Sequence, residues 1–219
     1  MPRTLSAEQV TEFRTRLCAV AQHRFATQGR DAVSMRQLAD ALGCSPMTPY
    51  RYFRNKDEIL AAVRTAAFDR FADALEAAVA KARGDLRKQG EAVGEAYIRF
   101  ALSEPEAYRL MFDLSQPHQG RYPELVRATA RARHMMSASL EKLVEAGIFV
   151  GDAQLMGHVF WATMHGLIVL HLAGKLPARP DFKAIRQEAM RLLVAGARSG
   201  APAGRAPETL TTRRRRRSP

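Results

Sequence analysis

Apolar residues recur along this chain at helical spacing and nowhere alternate for long with a period of two, so the pattern predicts an all-α protein. Ser6 and Gln9 form a capping box ahead of Val10, Phe13, Leu17, Val20, Ala21 and Phe25, and Gly29 ends that first helix. Ser34 and Gln37 form a second box. It opens a short helix with Met35, Leu38, Ala39 and Leu42 facing inward, and Gly43 stops it. Ser45 then offers a capping hydroxyl, and Pro46 takes the first helical position, where its missing N–H is harmless. This third helix reaches about Phe53. Asn55 with Glu58 forms a third box and starts a long fourth helix from Lys56 to about Arg83, which at ~1.5 Å per residue spans roughly 40 Å.

Gly84 and Asp85 break the pattern, and a fifth helix runs to about Leu102. Pro105 starts a sixth that ends near Ser115. A loop over 116–122 follows, with Pro117 and Gly120 in it. Pro123 starts a seventh helix that runs to Ala146, with Gly147 as its cap. Asp152 caps an eighth, running to about Gly174, and Asp181 caps a ninth that ends near Gly196, about nine helices in all. The most apolar stretch, Val159 to Ala173, is interrupted by His165 and His171 and falls short of the ~20 residues that cross a bilayer. There is no internal repeat and no Gly-rich phosphate loop.

Charge changes the picture. The chain has 219 residues, 47% of them hydrophobic, and a formal net charge of +12. Residues 1–56 hold 9 Lys and Arg against 4 Asp and Glu, residues 57–197 hold 18 against 17, and residues 198–219 hold 7 against 1. The basicity therefore sits in two flanks around a nearly neutral middle. The last flank is rich in Gly, Pro and Ala and closes on the run Arg213–Arg217, which reads as a disordered basic tail. A basic excess points to a polyanion, and the excess in the folded part coincides with the first three helices. The two cysteines, Cys18 and Cys44, can form neither a disulfide framework nor a four-ligand zinc site. Met1 to Glu12 lacks the apolar core of a signal peptide, so a cytoplasmic protein is expected, with no membrane partner.

Ser34 to Phe53 carries the sharpest chemical signal. Two short helices joined by a tight turn at Gly43 make a helix-turn-helix unit. Leu38, Leu42, Tyr50 and Phe53 can form a small core with Phe13, Leu17 and Phe25. The outward face of the third helix would then present Ser45, Met47, Thr48 and Arg51, with Tyr50 and Tyr52 at its edges. A major groove admits one such helix; hydroxyls and Arg bond base edges, and Met touches a thymine methyl. The tyrosine hydroxyls and Lys56 at a helix start suit phosphate oxygens, and Ser34 and Arg36 complete the DNA-binding candidates.

The segment SMRQLADALGCSPMTPYRYFRNKDEIL, residues 34–60, resembles the N-terminal domain of the TetR family of transcriptional regulators. The likeness includes Arg36, Leu38, Ala39, Gly43, Tyr50, Phe53 and the Lys56–Glu58 start of helix four, and extends over about Val10–Val63. Pro49 stands where the family often has Leu, and Tyr52 where His is common. Pro49 removes an N–H early in the reading helix, which tightens or bends that turn. EPEAYRLMF at 104–112 and WATMHG at 161–166 resemble the family's WHG-type C-terminal domain. The resemblance implies residues 1–55 as the DNA-binding domain and 56–197 as a ligand-binding and dimerisation domain; composition marks 198–219 as the tail. It also implies a homodimer on a palindromic operator of double-stranded DNA, released by a small, largely apolar effector.

Independently, the neutral region gathers large soft side chains: Tyr97, Phe100, Tyr108, Met111, Phe112, Met135, Met136, Phe160, Trp161 and Met164. About a third of them would line a cavity and the rest would be core. The ligand candidates are Tyr97, Phe100, Met111, Phe112, Met135, Phe160, Trp161, Met164 and His165. Trp161 and His165 lie one turn apart on one face. His158, His165 and His171 form no compact metal set, and no cofactor is expected. One reading helix covers few base pairs, so a twofold dimer is expected. Helices eight and nine are the candidate interface, since helix eight is apolar around much of its circumference and Gly157, Ala162, Gly166 and Ala173 permit close approach.

Three alternatives stay open: an activator, a generic basic DNA-coating or membrane-surface protein, and an enzyme using Cys18 or Cys44 as nucleophile, although neither has a base at a suggestive spacing. The tail generates one prediction. Deleting Arg213–Arg217 should flatten the salt dependence of DNA binding, each lost phosphate contact removing about 0.9 from the log–log slope, and leave site preference intact. Fluorescence anisotropy at several salt concentrations checks it; lost sequence preference contradicts it.

Overall fold

The computed structural model describes residues 6–113 and 119–199. Among them are eight α-helices and no strand: α1 (Ala7–Gln28), α2 (Met35–Ala41), α3 (Lys56–Lys81), α4 (Leu86–Ser103), α5 (Pro105–Met111), α6 (Pro123–Glu145), α7 (Ala153–Leu172) and α8 (Phe182–Ser199). Short 3-10 turns occur at Pro49–Arg51 and Gln119–Arg121. The basic tail, with Arg213–Arg217, lies outside the described residues, as does Ser115, where the sixth predicted helix was expected to end.

The capping chemistry sets the helix starts. Two of the three expected boxes form: Ser6 with Gln9, and Ser34 with Gln37, whose side chain returns to the Ser34 N–H at 2.7 Å, while the third, Asn55 with Glu58, is only half made. Asn55 caps α3 by accepting from Glu58 N–H at 3.0 Å. The Glu58 carboxylate reaches one residue further back than a capping box requires and accepts from Arg54 N–H at 2.6 Å.

The expected third helix, Pro46 to Phe53, is instead a pair of tight turns. Thr48 N–H donates to Ser45 at 2.8 Å and Arg51 N–H to Thr48 at 3.1 Å, both spaced by three residues. Pro49 has no N–H to return to Ser45, so the first α-type bond of this segment cannot form, and the chain closes into the tighter 3-10 pattern. Tyr50, expected in the small core, is 48% exposed because the tighter winding turns buried Pro49 inward in its place.

Two cores share α3. The head core holds Leu17, Ala21 and Phe25 of α1, Leu38 of α2, and Phe53, together with Ile59, Leu60 and Val63 from the first turns of α3. The body core takes over along the same helix at Ala67, Phe68, Phe71 and Leu75, packed against α4, α5 and α6. Helix α5 repeats the arrangement on a smaller scale: Leu110 lies in the head core, while its neighbours Tyr108 and Met111 lie in the body core. A hydrogen bond and an ion pair reinforce the joint: His23 of α1 to Glu106 of α5 at 2.8 Å, and Arg70 of α3 to Glu104 at 2.7 Å.

The most apolar helix, α7, is longer than its apolar stretch suggested. Its 20 residues, Ala153–Leu172, make it long and apolar enough to cross a membrane by length and composition, which corrects the estimate from Val159–Ala173. The difference arises because the Asp152 cap starts the helix early and so includes Gln154 and His158. It packs against α6 and α8 and leaves Leu155, Val159, Val169 and Leu170 exposed.

The start of α3 is fastened to the loop after α1. Lys56 Nζ donates to the carbonyls of Arg30, Asp31 and Val33 at 2.9, 3.2 and 3.2 Å, and Arg30 pairs with Asp57. Lys56→Met should lower stability by about 1–2 kcal/mol through the loss of a charged donor to these carbonyls. Urea unfolding of the full chain measures it; an unchanged midpoint contradicts the fastening role.

Candidate nucleic-acid interface and cavity

The helix-turn-helix angle is made by backbone geometry. After α2, Gly43 takes φ 66°, the left-handed region, and Cys44 N–H returns to Ala39 O at 3.1 Å. The Cys44 thiol also donates to Ala39 O, at 3.5 Å. The 3-10 turn that follows is held from behind by α1. Phe13 stacks on Tyr52 with centroids 4.3 Å apart, Arg14 donates to Tyr52 O at 2.7 Å, and the Arg14 guanidinium lies 4.1 Å over the Phe53 ring.

This leaves one face of the segment outward. Ser45, Met47, Tyr50 and Arg51 are exposed, as are Ser34 and Arg36 at the start of α2, and Thr48 is half-buried. Arg36 and Arg51 make no ion pair or hydrogen bond among the described residues, so both guanidiniums are unengaged. Two of the expected contact residues have other engagements: Tyr52 packs on Phe13, and Lys56 donates to three carbonyls behind α3. The Ser34 hydroxyl caps α2. Composition alone could not separate these uses, because a lysine at a helix start suits a phosphate and a loop carbonyl equally well.

The body contains a cavity of about 590 Å³ between α3, α5, α6 and α7. Its deep wall is apolar: Phe68 and Phe71 from α3, Met111 and Phe112 from α5 and its cap, Ala132 and Met136 from α6, and Trp161 from α7. Thr129, Arg133, Ser137, Gln154, Gly157 and His158 complete it. Of the expected ligand residues, Met111, Phe112 and Trp161 lie on this wall. Tyr97, Phe100 and Met164 lie in the body core behind it, and Met135 packs against that core. Phe160 joins a third cluster with Phe149 and Leu143. The α6 contribution was legible as a stripe at 129, 132, 133, 136 and 137, a helical spacing that mixes polar and apolar residues and so escapes a search for soft side chains.

Behind the wall runs a buried polar chain. The hydroxyls of Tyr97 and Tyr108 are 2.8 Å apart, and Tyr108 Oη is 2.7 Å from His165 Nδ1. Burial pushes Tyr97 up to about 12, with the Tyr108 and Trp161 side chains opposing it, and pushes Tyr108 well above the ordinary tyrosine range. The Trp161 indole lies near Tyr97 without a hydrogen bond of good geometry, and Thr129 Oγ1 has no partner among the described residues. Burial lowers His165, so its ring is neutral and can accept from Tyr108.

One buried cation links the cavity wall to α3. Arg64 is 4% exposed, and its Nη2 donates to the Met111 carbonyl at 3.0 Å. Burial lowers its pKa and the charge of Asp113 opposes that. Cys18 is poorly suited to nucleophilic work: burial pushes its thiol up to about 11, which keeps it protonated at neutral pH.

A helix-turn-helix head with a basic outer face, joined through one long helix to a helical body with an apolar cavity, defines a DNA-binding transcriptional regulator. The chain belongs to the TetR family. Residues 17–63 match the model of bacterial regulatory proteins of the tetR family, and residues 91–195 match a tetracyclin repressor-like C-terminal domain. Membership makes it a transcription factor with a ligand-binding C-terminal domain and not an enzyme. Among solved structures it is similar to a protein of unknown function from Rhodococcus sp. RHA1, with 28% identity, 90% of this chain and 98% of that one covered, and a TM-score of 0.73. A TetR family transcription regulator from Marinobacter aquaeolei VT8 has 20% identity, coverage of 89% and 98%, and a TM-score of 0.66. The fatty acid degradation regulator FadR from Bacillus halodurans has 15% identity, coverage of 88% and 97%, and a TM-score of 0.69. These last two share the fold. No curated protein gives a significant match.

The lowered pKa of His165 has a definite sign. The folded protein binds this proton less readily than the unfolded chain, whose histidine titrates near 6.5. Stability is therefore unaffected above that value, declines as pH falls through the window down to the folded pKa, and levels off below it. His165→Gln should make the decline between about pH 7 and pH 5 shallower in urea unfolding; an unchanged slope contradicts the buried neutral ring.

Proposed function

We propose that the protein is a ligand-released repressor that binds a palindromic operator as a homodimer. The observation that carries this reading is that Leu110 packs in the head core while the next residue, Met111, lines the cavity. A ligand that shifts α5 would move both, and through Arg64 and the Arg70–Glu104 ion pair it would tilt α3 and with it the reading turn. Ligand acts only through different affinities for the two arrangements, so the empty form binds DNA and the filled form does not.

Residues 1–55 form the DNA-binding part and 56–197 the effector and dimer part in this reading, with 198–219 a tail. Arg36 and Arg51, with Ser45, Met47, Thr48 and Tyr50, approach the operator, and Ser34 and Tyr52 border it; Lys56 contributes through the fold. The body is of the WHG type, supported by Trp161, His165 and Gly166 on one helix. The exposed Leu155, Val159, Val169 and Leu170 of α7 and Leu192 of α8 support a dimer face, which accounts for the apolar α7 without a membrane. A DNA-binding regulator acts in the cytoplasm.

Selection of bound DNA from random sequence should return an inverted repeat with two chains per duplex; a single half-site bound by one chain counts against the dimer. Arg51→Ala should weaken binding to that operator by about 1–3 kcal/mol, about fivefold or more, while binding to random duplex changes little. Competition anisotropy measures both, and an equal loss on the two DNAs would make Arg51 a nonspecific contact.

A further inference from the structure

The cavity is asymmetric in charge. Phe68, Phe71, Phe112 and Trp161 supply aromatic rings to its wall, and no Asp or Glu is among its described lining residues. Among the described lining residues the one permanent charge is Arg133, exposed at the rim on the face of α6 that lines the cavity. The neighbouring α6 arginines are differently placed: Arg127 pairs with Glu124, and Arg131 bridges Asp69, Asp73 and Glu76 of α3. Arg133 has no hydrogen bond or ion pair among the described residues. Beside it on the rim, His158 donates from Nδ1 to Gln154 O at 2.8 Å, which leaves Nε2 free.

We infer that the effector is an amphipathic anion, with its apolar body among the aromatic rings and its carboxylate or similar head on Arg133. This rests on the cavity being the effector site and names the class of ligand. A guanidinium matches a carboxylate with two parallel N–H donors, a charge-assisted contact that a neutral alcohol cannot reproduce. A cationic amphiphile would place its charge against Arg133 with no carboxylate on the wall to offset the repulsion. An aromatic chamber without acidic residues therefore selects against the lipophilic cations that the same apolar volume would otherwise hold.

Trp161 is the only tryptophan in the chain and lies on the cavity wall, so its emission reports occupancy without a label. The full chain is titrated with decanoate, decan-1-ol and decyltrimethylammonium, which share a body and differ in head charge. Decanoate should bind about tenfold or more tightly than decan-1-ol, as one charge-assisted hydrogen-bonded pair implies, with the ammonium weakest. Arg133→Gln should bring decanoate to the level of decan-1-ol and leave decan-1-ol itself unchanged, which also shows that the variant keeps its cavity. Equal binding of acid and alcohol, tighter binding of the ammonium, a decanoate preference that survives Arg133→Gln, or no emission change with any of the three overturns the inference. Operator affinity is measured in parallel. Decanoate that binds through Arg133 yet leaves operator affinity unchanged upholds the anion site and removes the regulatory reading instead.

Discussion

Leu110 and Met111 are consecutive residues of a seven-residue helix, and they belong to different cores. Successive positions of a helix point about 100° apart, so a short helix wedged between two packed bodies touches both. Close-packed interiors do not deform smoothly, and a shift that repacks one side must be answered on the other. The rest of the structure is arranged around this wedge. Helix α3 runs the length of both cores, Arg64 ties it to the Met111 carbonyl, and a His23–Glu106 hydrogen bond and an Arg70–Glu104 ion pair hold the start of α5 to α1 and α3.

The buried guanidinium of Arg64 is the costliest of these links. A charge taken from water demands partners, and one of its nitrogens, Nε, has none among the described residues. An apolar residue would pack there more easily, so its presence is better explained by what it holds than by stability. It holds the carbonyl at the C-terminal end of α5, where the helix dipole is negative and a cation is favoured. The Tyr97–Tyr108–His165 chain does comparable work, joining α4, α5 and α7 through one buried and one part-buried hydrogen bond.

Much of this was legible in the residues. The serine boxes placed α1 and α2 to the residue, because a side chain reaching back three positions is a local interaction that needs no tertiary context. The helix-turn-helix was legible for the same reason: Gly43 and the short apolar runs beside it are local. The tightening at Pro49 followed from its missing N–H, although its consequence for Tyr50, which turns outward, did not. What escaped was tertiary. Phe68 and Phe71 read as ordinary positions of a long helix, and only the packing of α6 across α3 makes them a cavity wall. Lys56 looked like a phosphate ligand because nothing nearby in sequence shows that the loop after α1 folds over it.

The central claim is that filling the cavity and moving the reading turn are one event. Ala132 lies on the cavity wall and is buried, so Ala132→Phe projects a ring into the chamber and stands in for a ligand. The direct measurement is operator affinity of this full-length variant, with its helix content and unfolding followed alongside. The account predicts an intact helical fold that binds the operator about tenfold or more weakly, the size of an ordinary coupling between two sites. A folded Ala132→Phe protein with unchanged operator affinity would contradict it.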